Sequence, residues 1–152
     1  MLGILTPQQI DVVLRSELVG RIGCYGDERV AIVPSSYVYD GTALYGHAAA
    51  GLKALLLRAH PQVCFQVDRV QNLANWQSVI VWGTFAELTG AEAEKAFDLF
   101  LDRMTPFITS ETMLSAHVSS VGGQATDRTG KQATMYRILL TERSGRYEKS
   151  DR

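Results

Sequence analysis

Between Gly20 and Leu88 the chain passes through strand-like stretches, the first three of them separated by turns only two or three residues long. Gly20–Tyr25 alternates in character and leads through Gly26-Asp27-Glu28 into Arg29–Tyr39, and Asp40-Gly41 turns that run into Thr42–Ala48. Turns this short join antiparallel neighbours, because a parallel crossover needs a dozen residues or more. Val63–Val70, Trp76–Leu88 (with Gly83 as a bend point) and Ala133–Thr141 complete about six strands. Pro34 interrupts the second strand, and a residue without an N–H marks an edge, a bulge or a bend there.

Helices are predicted at three places. Thr6-Pro7-Gln8-Gln9 reads as an N-cap, a first-turn proline and a capping-box glutamine, opening Pro7–Leu18. The second covers Gly51–Ala59 and is closed by Pro61, and the third covers Ala91–Met104 and ends before Pro106. Ser115–Val121 suits strand or loop, Gly122–Gly130 a flexible connection, and Ser144–Arg152 a polar, frayed tail. The expected fold is mainly β: one domain over residues 1–152, a small antiparallel barrel with peripheral helices. Strand and helix do not alternate throughout, so a doubly wound sheet is excluded.

The 152 residues carry a formal charge of −1, so no basic field points to nucleic acid or an anionic membrane. No apolar run approaches the roughly 20 residues of a membrane span, and the N-terminal apolar stretch stops at Thr6-Pro7. Cys24 and Cys64 lie in apolar strand-like runs, as expected of reduced, buried thiols in a cytoplasmic protein. His47, His60 and His117 are dispersed without metal-ligand spacing, so no metal centre is expected.

No catalytic residue can be assigned. Ser35, Ser36 and Ser78 lack a nucleophile elbow, no nearby carboxylates pair, and no GxGxxG or Walker motif occurs. An enzyme of this composition would draw its reactive atom from a cofactor. The segment Ala43–Arg58, ALYGHAAAGLKALLLR, offers a place for one. Strand, small-residue turn and helix start follow one another, leaving backbone N–H groups open where the helix dipole is positive. Lys53 in that first turn is misplaced by about 0.3–1 kcal/mol unless an anion such as phosphate lies beside it. The same residues also suit an ordinary strand-to-helix turn with a solvated lysine.

The ordered runs GRIGCYG, VAIVPSSYVYDGTALYGHAAAGLKALLLRAHPQVCFQVD and WQSVIVWGTFAEL resemble the flavin-binding split-barrel family of the pyridoxamine 5′-phosphate oxidases. The likeness covers about residues 18–90 and is closer to the nitroimidazole-resistance branch. It implies a split β-barrel that binds FMN between the subunits of a homodimer and reduces a small molecule by hydride or electron transfer. Gly51 and Lys53 match the family's phosphate site, although Leu52-Lys53 replaces the oxidases' usual Arg-Lys pair. Tyr45, Gly46, His47 and Ala48 match the strand end beside the flavin; His47 equally suits a hydrogen bond to nearby backbone. Val33, Pro34, Ser35 and Ser36 match the strand that passes the isoalloxazine ring, or else an edge-strand proline with surface serines. Trp76, Gln77 and Ser78 match a strand entry that reaches the phosphate or ribityl oxygens, commonly from the second subunit; Trp76 also suits a core or interface aromatic. Tyr37 and Tyr39 alternate onto one strand face with Ser35. With Trp76 and Trp82 they are expected to expose aromatic surface that a second subunit covers. A non-catalytic flavin- or haem-binding module, or a deazaflavin-dependent relative, stays open as the alternative.

Overall fold

The computed structural model describes residues 1–48, 60–107, 120–121, 124–126 and 132–151. The expected helix over Gly51–Ala59, with Gly51 and Lys53, lies outside the described residues. The strands are β1 (Leu2–Ile4), β2 (Val19–Gly26), β3 (Arg29–Tyr39), β4 (Ala43–Ala48), β5 (Gln62–Asn72), β6 (Asn75–Glu87), β7 (Ser120–Val121), β8 (Gln124–Thr126) and β9 (Gln132–Glu148). Among the described residues two α-helices accompany them, α1 (Pro7–Ser16) and α2 (Gly90–Met104). Six strands close a ring in the order β4-β3-β2-β5-β6-β9, with β9 pairing back onto β4, and every pairing is antiparallel. This is a split β-barrel.

Short turns set the order of the ring. Asp27 and Glu28 both take positive φ, 51° and 61°, which closes the β2–β3 hairpin with the twist that two-residue turns require. At the next turn the Asp40 carboxylate accepts hydrogen bonds from the Thr42 and Ala43 amides, each at 2.8 Å, and from the Tyr45 hydroxyl at 3.0 Å. Burial alone would raise the Asp40 pKa, but these bonds outweigh it and hold the carboxyl below its usual range.

Alternation along the strands fills the barrel. Ile22, Tyr37, Phe65, Val67, Val79, Val81, Tyr136 and Ile138 point inward and are fully buried. Sequestering a large apolar side chain in this way contributes roughly 1.5–3 kcal/mol. Helix α1 packs Ile10, Val13 and Leu14 into the same core, and the Tyr37 hydroxyl donates to Leu14's carbonyl at 2.7 Å. Its capping box forms as expected between Thr6 and Gln9. The helix ends at Ser16, two residues before the expected Leu18, because Glu17 is already extended toward β2. Helix α2 packs Ala96, Phe100 and Met104 with Val38, Leu88 and Met135 in a second cluster.

Four expectations need correction. Tyr37 and Tyr39 do not form an exposed face: both are core residues, because that face of β3 turns inward. Trp82 is exposed as expected, at 38%, and Trp76 is half-buried. The tail is not frayed from Ser144, since β9 continues to Glu148 between β6 and β1. A polar stretch can do this because the ladder is a backbone property, and here Gly145 lets Leu5 and Ile10 pack against it. Gly122–Gly130 is not wholly a connection, because Gln124–Thr126 pairs with β9. Cys24 is buried and Cys64 only half-buried, and both are free thiols. Gly83 is the expected irregularity, with the register shifting between it and Trp82.

Candidate functional site

Strand β3 changes partner near its middle. From Arg29 to Ser36 it pairs with β2, and from Tyr37 it pairs with β4, Tyr37 opposite Gly46 and Tyr39 opposite Leu44. Among the described residues, β3 before Tyr37 therefore has a neighbour on one side only. Pro34 stands in that one-sided stretch, opposite Arg21 in an unbroken register, so the edge explanation holds and neither a bulge nor a break is present. Among the described residues, no strand pairs with the backbone on that side.

Two of the expected segments, Val33–Ser36 and Tyr45–Ala48, meet at this partner change. Ser35 faces inward, with its hydroxyl 2.7 Å from the Tyr136 hydroxyl and donating to Ser36's carbonyl at 3.0 Å. Ser36 and Pro34 face outward. On β4, Gly46 and Ala48 are buried, whereas Tyr45 and His47 are half-buried opposite Arg137 and Met135. Gly46 is dictated by close approach: a Cβ there would fall 2.5 Å from Tyr136 Cζ and 2.8 Å from Ser36's carbonyl oxygen. Tyr45, Arg137, Asp40 and Lys95 line a cleft of about 410 Å³ beside α2. Burial raises the Tyr45 pKa, and its hydrogen bond to Asp40 adds to the effect.

The third segment lies elsewhere in the chain. Trp76–Ser78 opens β6, separated from β3 by β2 and β5. Since Val79 and Val81 point inward, Trp76 and Ser78 face outward with Ile80 and Trp82, while Gln77 takes the opposite face. Gln77 there accepts from Arg69 at 3.5 Å, and Arg69 also bonds to the Ser16 hydroxyl at the end of α1. The three consecutive residues thus cannot all address one ligand through their side chains. Ser78 is linked to the β3 stretch across the outer sheet face. Gln66 donates to its hydroxyl at 3.4 Å, Gln66 pairs with Arg21, and Arg21 pairs with Pro34. Arg21 and Gln66 were not among the expected residues. Alternation places Arg21 outward, but its register against Pro34 is a tertiary fact.

This outer face is apolar with polar groups at its edge. Val30, Ile32, Ile80 and Trp82 make it apolar and exposed, Ile32 by 71%, while the Ser36 and Ser78 hydroxyls, Arg21 and the open β3 backbone add polar contacts. Among the described residues no group of His, Cys, Asp and Glu could hold a metal ion, and no helix is long and apolar enough to cross a membrane.

A family profile described as pyridoxamine 5′-phosphate oxidase matches residues 6–147. The chain belongs to that family. An uncharacterized protein of Rhizobium meliloti is 27% identical to this chain over 89 residues, and the match spans 59% of each chain. Among solved structures, a FAD-binding protein from Mesorhizobium loti is 27% identical, with 97% of this chain and 98% of that one covered at a TM-score of 0.68. Two more distant structures share the fold. One is a candidate 5-nitroimidazole antibiotic resistance protein from Bacteroides thetaiotaomicron, at 16% identity, 97% and 87% coverage and a TM-score of 0.70. The other is the FAD and heme binding protein from Mycobacterium smegmatis, at 14% identity, 98% and 74% coverage and a TM-score of 0.69. The pyridoxamine 5′-phosphate oxidase-like fold of this chain is therefore one that flavin-binding proteins use.

Proposed function

We propose that the chain is an FMN-dependent oxidoreductase that works as a homodimer in the cytoplasm and reduces a small molecule, with nitroimidazoles as the first class to test. The observation that carries this reading is the one-sided stretch of β3 at Val33–Ser36, set beside β4 and continuous with an exposed apolar sheet face. Pro34 and Ile32 offer a surface for the ring, and the Ser36 region offers polar groups for its rim. On the family resemblance, Gly51 and Lys53 would hold the phosphate, and Trp76 and Ser78 would reach it from the second copy. Exposed Val30, Ile32 and Trp82 support dimerisation, since this much apolar surface on one sheet face favours a protein partner. Bound flavin supplies a reversible acceptor and donor of hydride or single electrons. The chain's own residues hold it, orient its rim and exclude water from one face.

The deciding experiment is the absorption spectrum of the full chain as purified, followed by cofactor release and mass analysis. Flavin bands with released FMN are expected; FAD would correct the cofactor, and a haem or deazaflavin spectrum would replace it. Lys53→Ala should weaken FMN binding by about ten- to a hundredfold, the range of one charge-assisted hydrogen bond. A colourless protein that retains neither added FMN nor added FAD refutes the proposal.

A further inference from the structure

We infer that Tyr136, acting through Ser35, is a positioning residue for the flavin strand, an inference that rests on the flavin-binding reading above. The geometry lies at the partner change of β3, which pairs with β2 through Ser36 and with β4 from Tyr37. Ser35 is the buried polar side chain of the described core. Its hydroxyl has one proton, which goes to Ser36's carbonyl at 3.0 Å. With that proton on Ser36's carbonyl, Tyr136 is the donor at the 2.7 Å contact, where the geometry alone allows either hydroxyl to donate. Tyr136 is fully buried, and burial raises its pKa far enough, against the opposing effect of Ser35, to keep the proton in place. The result is a directed relay from Tyr136 to Ser35 to the carbonyl of Ser36.

The other end of that peptide is held as well. The Tyr37 N–H donates to Leu18's carbonyl at 3.1 Å. The Ser36–Tyr37 peptide is thus fixed from both sides, and with it the direction in which Ser36 faces the outer surface. Packing alone does not require the relay. The Tyr136 ring is already seated on Phe85, with centroids 5.2 Å apart, and replacing both hydroxyl partners by apolar groups of similar shape would be nearly neutral for stability. Gly46 completes the device by leaving room for the Tyr136 hydroxyl to reach β3.

The test is flavin titration of the full chain carrying Tyr136→Phe, Ser35→Ala, both together, or Ser35→Thr, with urea unfolding of each apo form. Each of the first two should raise the flavin Kd by roughly three- to tenfold, the span of one neutral hydrogen bond. The double variant should be no worse than Ser35→Ala alone, because both changes cut one relay, and Ser35→Thr should stay within about twofold of the parent. Unchanged Kd values in variants that are merely less stable would overturn the inference and leave the flavin reading intact. A parent chain that binds neither FMN nor FAD would overturn the flavin reading itself. Should Tyr136→Phe fail to fold, the Ser35→Ala and Ser35→Thr pair decides.

Discussion

Gly46→Ala tests the packing beneath the candidate site. The new methyl would fall against the Tyr136 hydroxyl, 2.5 Å from Cζ, and 2.8 Å from Ser36's carbonyl oxygen. Neither neighbour is a loose chain end. Tyr136 is fully enclosed and stacked on Phe85, while Ser36 belongs to the β3 backbone. Relief requires Tyr136 to retreat and lose its bond to Ser35, or β4 to separate from β9. Overpacking of this kind costs about 1–3 kcal/mol. A buried hydroxyl left without a partner adds about 1–3 kcal/mol. The substitution should therefore destabilise the fold by roughly 2–6 kcal/mol, or lower Tm by about 2–4 °C for each kcal/mol in a chain of this size. Urea unfolding of the parent, Gly46→Ala, Tyr136→Phe and the double variant measures it. In the Tyr136→Phe background the hydroxyl overlap is gone and no relay bond remains to break. The added cost of Gly46→Ala should then fall by about 1 kcal/mol or more. A Gly46→Ala protein within about 0.5 kcal/mol of the parent, or equal costs in both backgrounds, would refute this account of the interior.

Two other features give predictions of their own. The Tyr39 hydroxyl lies 2.7 Å from Asp11 Oδ1 and accepts a hydrogen bond from Arg143, joining α1, β3 and β9. Burial first, and then the Asp11 bond, push its pKa up to about 12 from the ordinary tyrosine value of 10.0. A raised tyrosine pKa contributes stability that is complete below pH 10 and lost as pH rises toward 12. Tyr39→Phe should flatten that part of a stability-versus-pH curve, and an unchanged slope would count against the assignment. At the β2–β3 turn, Glu28 has a φ of 61°, a region disfavoured for residues with a Cβ. Glu28→Gly should stabilise the protein by about 0.5–1 kcal/mol in urea unfolding, whereas a loss would show that the Glu28 side chain makes a compensating contact.

Much of the barrel was legible because its strands are bounded by local chemistry. Asp40-Gly41, the Thr6–Gln9 capping box and the period-2 runs through Val63 and Val79 act within a few residues. They read the same in the sequence and in the structure. The extent of β9 was not legible. Its outer residues are polar, and what fixes Ser144–Glu148 is pairing with Trp76–Ile80 on one side, while Arg146–Glu148 also pairs with Leu2–Ile4 at the far end of the chain. The tyrosines of β3 show the same limit from another direction. Alternation correctly placed Tyr37 and Tyr39 on the face of Ser35, but a half-buried sheet has two faces and the sequence does not say which one closes inward. Tyrosine suits either, because its hydroxyl can be satisfied inside, as Leu14 satisfies Tyr37.

The candidate site divides along similar lines. Segments adjacent in the ring, Val33–Ser36 and Tyr45–Ala48, are joined by a turn that the sequence announces, so their meeting could be anticipated. Trp76–Ser78 could not be oriented. Consecutive strand residues alternate faces, and only the inward Val79 and Val81 show that Gln77 turns away from Trp76 and Ser78. Arg21 and Tyr136 went unnoticed for a different reason. Each reads as an ordinary strand residue, and each acquires its role from the register that sets it against Pro34 or beneath Gly46. Strand β3 is thus shaped from inside the barrel, by a hydrogen bond between residues 101 positions apart in the chain. Contacts of that range leave no local pattern, since any hydroxyl pair at those two positions would look the same in sequence whether or not the ring brought them together.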